Sequence, residues 1–330
     1  MTFLRYAPVR PFMIYSQLIA VFFFLACCFA QAGEKTGGLK PFKLESGGYK
    51  RTYLVYSPSN LEKNKKYPLL VILHGGGGKG KNMPRLTHGG FEKLADGNGA
   101  IVVYPDGLDK NWNDYRGDKS RKAQRENVDD VAFISSMLDE IAKTYPVDTA
   151  RVYAAGISNG SMMSYTLACR APERFAAVAP VAGAMPENLA AACKPSRPVP
   201  ILIISGTEDN LVHWGGGDVT GPFGRKKLGK VISVEKSRDF WLEKNGCDPA
   251  KKETSRTDSD PDDGTAVTRE VYTACAAGGA VEFLRIEGGG HTWPGGMQYM
   301  PKLVIGRTSR EIDANTEIWN FFMKHPLRPL

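Results

Sequence analysis

Gly156-Ile157-Ser158-Asn159-Gly160 holds a serine between two glycines, where an apolar run (Arg151–Gly156) meets a segment with helical patterning (Ser161–Cys169). A strand that turns sharply into a helix lifts its serine hydroxyl clear of the backbone, and larger side chains at the glycine positions would collide there. The pattern alone arises by chance in roughly one chain in ten of this length. This chain is also rich in glycine, with 36, so the strand–turn–helix setting carries the weight. A serine needs a base to become a nucleophile, and the base needs a carboxylate to fix its tautomer. In sites of this kind the acid and then the histidine follow the serine along the chain. Of the five histidines, His74 and His88 precede Ser158, His213 lies four residues after Asp209, and His325 falls in the C-terminal tail. His291 remains, on the glycine-rich stretch Gly288–Pro294 after the apolar run Val281–Ile286. The acid is expected after the apolar run Pro200–Ile204, where Glu208 and Asp209 both qualify and spacing does not separate them.

Such a constellation performs acyl transfer, which also needs N–H donors for a developing oxyanion. Asn159, directly after the serine, offers one backbone amide. His74-Gly75-Gly76-Gly77, after the apolar run Pro68–Leu73, offers another, expected at Gly76. His74 is expected to brace that loop. Trp293, two residues from the expected base, and Trp112 are candidate substrate-pocket walls, with Trp214 a further candidate.

The elements that must position these residues alternate between the two periods. Tyr49–Tyr56, Pro68–Leu73, Ala100–Tyr104, Arg151–Gly156, Ala176–Val181, Pro200–Ile204, Thr265–Tyr272 and Val281–Ile286 read as strands. Val128–Lys143, Ser161–Cys169, Val231–Lys244 and Glu311–Lys324 read as helices, the first with Val131, Ile134, Leu138 and Ile141 at helical spacing. Asp129 and Asp130 would favour the dipole of the first of these helices. Leu108–Asn127 and Lys251–Gly264 read as polar loops, and Lys119, Arg121, Lys122 and Arg125 as a solvated basic cluster. Continuous apolar strands alternating with helices imply an α/β fold with a mostly parallel sheet covered on both faces.

Hydrophobic residues make up 42% of the 330 and charged residues 24%, the composition of a globular chain with a sizeable core. Residues 1–32 read as a signal peptide: Arg5 and Arg10, an apolar run from Leu18 to Phe29, then Ala30-Gln31-Ala32 as a cleavage pattern. An uncleaved anchor, or lipidation at Cys27 or Cys28, are the alternatives. Residues 33–330 read as one catalytic domain, secreted or periplasmic, with no stable membrane span after cleavage. The formal charge of +8 favours solubility, and no nucleic-acid-binding motif accompanies it. Cys169, Cys193, Cys247 and Cys275 would remain, an even number in an exported chain, which suggests disulfides. Three pairings are possible; Cys169–Cys193 and Cys247–Cys275 close the shortest loops. The spacings match no zinc pattern.

Leu73-His74-Gly75-Gly76, Tyr104-Pro105-Asp106-Gly107, Val128-Asp129-Asp130-Val131, Gly156–Gly160, Gly206-Thr207-Glu208-Asp209 and Gly290-His291-Thr292-Trp293-Pro294-Gly295 occur in that order over about 45–325. Together they resemble the polyhydroxybutyrate depolymerase and feruloyl esterase-like family of α/β hydrolases. The resemblance implies an exported carboxylic-ester hydrolase with no metal or organic cofactor, Asp209 rather than Glu208 as the acid, and the two disulfides above. No stretch of the sequence reads as an appended binding domain or a linker to one, which weakens the expectation of attack on a solid polyester. Its expected substrates are therefore feruloyl or acetyl esters of polysaccharide, or hydroxyalkanoate oligoesters. The rival readings are a serine peptidase on the same fold and a non-catalytic binding module.

Overall fold

Two short strands explain the architecture. Tyr67–Leu73 (β3) and Ile101–Pro105 (β4) are buried at every position, so the sheet that contains them must be covered on both sides. The computed structural model describes residues 37–327 apart from 63 and 225, so the expected signal peptide lies outside the described residues. The remaining strands are Gly38–Ser46 (β1), Tyr49–Ser57 (β2), Val147–Ile157 (β5), Ala177–Val181 (β6), Ile201–Gly206 (β7), Gly217–Thr220 (β8), Lys227–Val231 (β9), Lys252–Thr257 (β10), Ala266–Tyr272 (β11) and Val281–Glu287 (β12). The helices are Met83–Leu86 (α1), Gly90–Asn98 (α2), Lys122–Arg125 (α3), Asp130–Thr144 (α4), Asn159–Arg170 (α5), Glu187–Ala192 (α6), Val234–Lys244 (α7), Lys302–Ile305 (α8) and Ala314–Lys324 (α9).

Ten strands form one sheet in the order β1-β2-β4-β3-β5-β6-β7-β12-β11-β10. The six from β4 to β12 run parallel, and antiparallel strands finish both edges. The pleat sorts the core into two layers. Leu69, Val71 and Leu73 join Phe133, Ile134 and Met137 of α4, Met162 of α5 and Trp241 of α7 on one face. Leu70 and Ile72 join Phe91 of α2 and Ile318, Phe321 and Phe322 of α9 on the other. This is the α/β-hydrolase architecture, as expected from the sequence.

The chain leaves β3 for β4 on one side of it and later returns through β5 on the other. At such a reversal the connections diverge beyond the carboxyl ends of the strands and leave a crevice. The segments after β3, β5, β7 and β12 carry His74–Gly78, Ser158, Asp209 and His291 respectively, so the topology delivers all of them to one edge of the sheet.

Three sequence expectations are corrected. Lys251–Gly264 is not simply a loop: β10 extends the sheet antiparallel to β11, and its six residues are all exposed. An edge strand with one neighbour needs no apolar face, so nothing in its composition marks it as a strand. Leu108–Asn127 is not a solvated excursion either, because Trp112, Asn113, Asp114, Arg116 and Asp118 are buried. In that basic cluster Lys119 and Arg125 are exposed, whereas Arg121 is half-buried beside Asp118. Asp129 caps α4 by accepting from Ala132 N at 2.8 Å. Asp130 instead forms a buried ion pair with Arg51 at 2.6 Å and accepts from Asn113 N, a long-range tie rather than a dipole effect.

Candidate active site

Ser158 stands at φ 60°, ψ −118° between β5 and α5. A non-glycine residue in that region is strained, and such strain persists only where the surroundings enforce it. The flanking glycines show how. A Cβ on Gly156 would lie 2.6 Å from the Gly160 backbone, and one on Gly160 would lie 2.4 Å from Leu73 O. The start of α5 is thus pressed against the end of β3, and only hydrogen side chains fit. Ser158 N donates to Val181 O at 3.0 Å, which ties the turn to β6.

His291 and Asp209 form a buried pair, 2% and 5% exposed, with Nδ1 to Oδ2 at 2.7 Å. The other Asp209 oxygen, Oδ1, accepts from Leu211 N and Val212 N, both at 2.8 Å. An ionised Asp209 accepts Nδ1–H, which leaves Nε2 as the lone-pair nitrogen of a neutral imidazole. Glu208, the other positional candidate, is exposed and pairs with Arg307 at 3.2 Å. Segment 297–309 supports the histidine: Tyr299 Oη donates to His291 O at 3.0 Å, and His291 N donates to Ile305 O at 2.5 Å. Burial pushes the Tyr299 phenol well above its ordinary value, so it remains a donor.

Ser158 and His291 line one cavity of about 440 Å³, together with Gly75, Gly76 and Asn159. Gly75 passes so close to Ser158 that a Cβ there would lie 3.4 Å from the serine Cβ. The Asn159 side chain is fully engaged, accepting from Trp112 N at 2.8 Å and donating to Asp114 Oδ2 at 2.6 Å. His74 braces the glycine loop. Its Nδ1 donates to Gly75 O at 2.8 Å, and its Nε2 accepts from Gly107 N at 2.9 Å. Burial holds the His74 imidazole below its usual range, which keeps the accepting nitrogen unprotonated.

The tryptophans expected as pocket walls are elsewhere. Trp293 is fully buried, edge-on to Phe91 and donating to Asn315 Oδ1 at 3.1 Å. Trp112 is also fully buried, packed on the His74 ring and donating to His74 O at 2.9 Å. Trp214 packs on Phe283. Trp293 and Trp112 therefore fix the loops behind Ser158 and His291. The walls are Met83 and Leu86 at the two ends of α1, Val219 and Leu228 on the β8–β9 hairpin, and Met297, Tyr299 and Met300. Sequence reasoning missed these, and it missed Arg85, Arg116 and Arg121, which also line the cavity. Only Arg121 had been singled out, as part of a solvated cluster.

Disulfides join Cys169 to Cys193 and Cys247 to Cys275, the pairing expected from the sequence. The first anchors the last turn of α5, the helix that begins at the serine turn. Among the described residues no cluster of His, Cys, Asp and Glu could hold a metal ion, and no helix is long and apolar enough to cross a membrane.

A hydroxyl on a strained turn, a histidine–carboxylate pair and a backbone-lined cavity on this sheet define a hydrolase of the α/β class. The chain belongs to the esterase family described as "Putative esterase", which matches residues 45–259. It is 33% identical over 267 residues to "Putative esterase NocK" of Nocardia uniformis subsp. tsuyamanensis, covering 78% of this chain and 74% of that one. It is 32% identical over 250 residues to feruloyl esterase B of Piromyces equi, covering 73% of this chain but 42% of that one. The acetyl xylan esterase from Aspergillus awamori shares the fold, with TM-score 0.54 at 16% identity over 86% of this chain and 99% of that one. The protein is accordingly an ester-bond hydrolase.

Proposed function

We propose that the protein is an exported serine carboxylic-ester hydrolase in which Ser158, His291 and Asp209 act through an acyl-enzyme. The observation that carries this reading is the buried 2.7 Å pairing of Asp209 with His291, which lines the same cavity as the strained Ser158. Ser158 Oγ attacks the ester carbonyl as His291 Nε2 takes its proton. The oxyanion accepts from the Gly76 and Asn159 amides, the latter at the positive end of α5. As the intermediate collapses, the carbonyl–alkoxy bond breaks and His291 returns the proton to the leaving alcohol. Water then repeats the sequence and releases the acid.

The names of the relatives support feruloyl or acetyl esters of polysaccharide as substrates, and hydroxyalkanoate oligoesters remain within the same chemistry. Two disulfides support export, since such bonds persist in oxidising compartments.

The test pairs a panel of esters (butyrate, ferulate, acetylated xylan, hydroxybutyrate oligomers) with a fluorophosphonate probe on the mature protein. Hydrolysis together with labelling at Ser158 is expected, both lost in folded Ser158→Ala. A folded wild-type protein that neither labels nor hydrolyses would be a binding module, and faster turnover of peptides than of esters would make it a peptidase.

A further inference from the structure

The walls of the cavity beside Ser158 include three arginines, Arg85, Arg116 and Arg121, and no aspartate or glutamate among the described residues. That is an unusual lining for an enzyme whose substrate is neutral, because a guanidinium in an apolar wall loses hydration that something must replace. Arg116 shows the deficit best. It is 5% exposed, yet its Nε is buried with no hydrogen-bond acceptor. Asp114 Oδ2 stands 3.5 Å from that nitrogen, and Nη1 donates to the sulfur of Met162 at 3.6 Å, a weak acceptor.

Asp114 is not free to serve Arg116 more closely. Its two oxygens already accept from Asn159 Nδ2 at 2.6 Å, Gln124 Nε2 at 2.9 Å and Arg116 N at 3.2 Å. Arg121 repeats the pattern, with Nε buried and unbonded, 3.4 Å from Asp118 Oδ2. Arg85 is exposed and has no ion-pair partner among the described residues. Three cations therefore line the cavity against two carboxylates that are not among its lining residues, which leaves its wall with an excess of positive charge and with two buried guanidinium nitrogens that have no full hydrogen bond.

We propose that Arg116, reinforced by the charge of Arg121 and Arg85, determines specificity for esters whose acyl part carries a carboxylate, such as monoesters of dicarboxylic acids. The inference rests on the ester-hydrolase reading and deepens it. A carboxylate suits the site because the planar guanidinium fork matches its two oxygens. The acyl part is assigned by position. Arg116 packs on Met162 of α5, and its partner Asp114 holds Asn159, so the arginine belongs to the oxyanion side of the serine. The leaving alcohol must instead lie by His291 to receive its proton.

The experiment compares p-nitrophenyl monoesters of adipic, pimelic and suberic acid, each against its neutral twin with the far carboxylate capped as a methyl ester. The wild-type enzyme should favour the free acid in kcat/KM by about tenfold or more at the best-fitting length, and added salt should reduce that preference. Arg116→Met should bring the ratio down to about one, and Arg116→Lys should restore part of it. The wild-type ratio needs no variant, so misfolding of a variant leaves the proposal exposed to refutation. Equal or faster hydrolysis of the capped twins would overturn it while the esterase reading stood, as would a folded Arg116→Met that kept the preference. Hydrolysis of neither twin would strike at the esterase reading itself, and this inference would fall with it.

Discussion

Asp209→Asn separates the electrostatic role of the carboxylate from its structural role. In the native protein Oδ1 accepts from Leu211 N and Val212 N while Oδ2 faces His291 Nδ1. An asparagine that kept its oxygen on the two amides would turn its NH2 toward Nδ1. Nδ1 would then have to accept, moving the imidazole proton to Nε2, where the nitrogen can no longer take a proton from Ser158. The opposite amide orientation would restore the tautomer but leave two buried N–H donors unbonded, at about 1–3 kcal/mol each. The productive arrangement therefore lies roughly 2–6 kcal/mol above the unproductive one, and loss of the carboxylate charge adds to the deficit. We expect kcat on p-nitrophenyl butyrate to fall on the order of 10³- to 10⁴-fold, with KM and the unfolding midpoint little changed. Glu208→Gln is the control: this exposed residue pairs with a half-exposed arginine, and its loss should cost about twofold at most. An Asp209→Asn enzyme within tenfold of wild type, or a Glu208→Gln enzyme with the larger defect, would refute the reasoning.

Three further outcomes follow from the same contacts. Gly160→Ala places a methyl 2.4 Å from Leu73 O and should destabilise the protein by about 3 kcal/mol in urea unfolding; an alanine variant of native stability would show that the serine turn is not tightly enforced. His74 is held neutral by burial, so the unfolded chain binds more protons than the native one between the two pKa values. Stability should therefore fall as pH drops below about 6.5, and the pH dependence of wild-type unfolding should be steeper than that of His74→Asn, which keeps an acceptor for Gly107 N. Replacing Cys169 and Cys193 by alanine opens a loop with a sequence separation of 24 and should cost about 3.5 kcal/mol of unfolding free energy.

The sequence was most legible where one local pattern dictated one structure. The runs that became β3, β4, β5 and β12 had no alternative to a buried sheet, and the glycines around Ser158 left room for only one kind of turn. His291 followed from chain order and the strand before it, whereas position left Glu208 and Asp209 equal and only the resemblance to the esterase family pointed to Asp209. The walls of the cavity were not legible, because they come from α1, the β8–β9 hairpin and segment 297–309, which meet only in three dimensions. Trp112 and Trp293 were misplaced for the same reason: closeness in sequence to a reactive residue does not say which side of the loop a ring takes. In both cases the indole found a hydrogen-bond acceptor and an apolar layer behind the site. Arg116 had no sequence signal, since a buried arginine among polar neighbours looks like any surface residue.

Segment 297–309 has two duties that bear on how this enzyme could change its appetite. Through Met297, Tyr299 and Met300 it shapes the space a substrate fills, and through Tyr299 and Ile305 it grips the backbone of His291. A substitution that recontours this wall also tugs on His291, the proposed proton carrier, so new substrates gained here would come with slower chemistry until a second change restored the grip. Met83 and Leu86, at the two ends of α1, have no hydrogen bond to Ser158, Asp209 or His291 among the described residues. Laboratory selection for altered substrate size should find its first tolerated steps there.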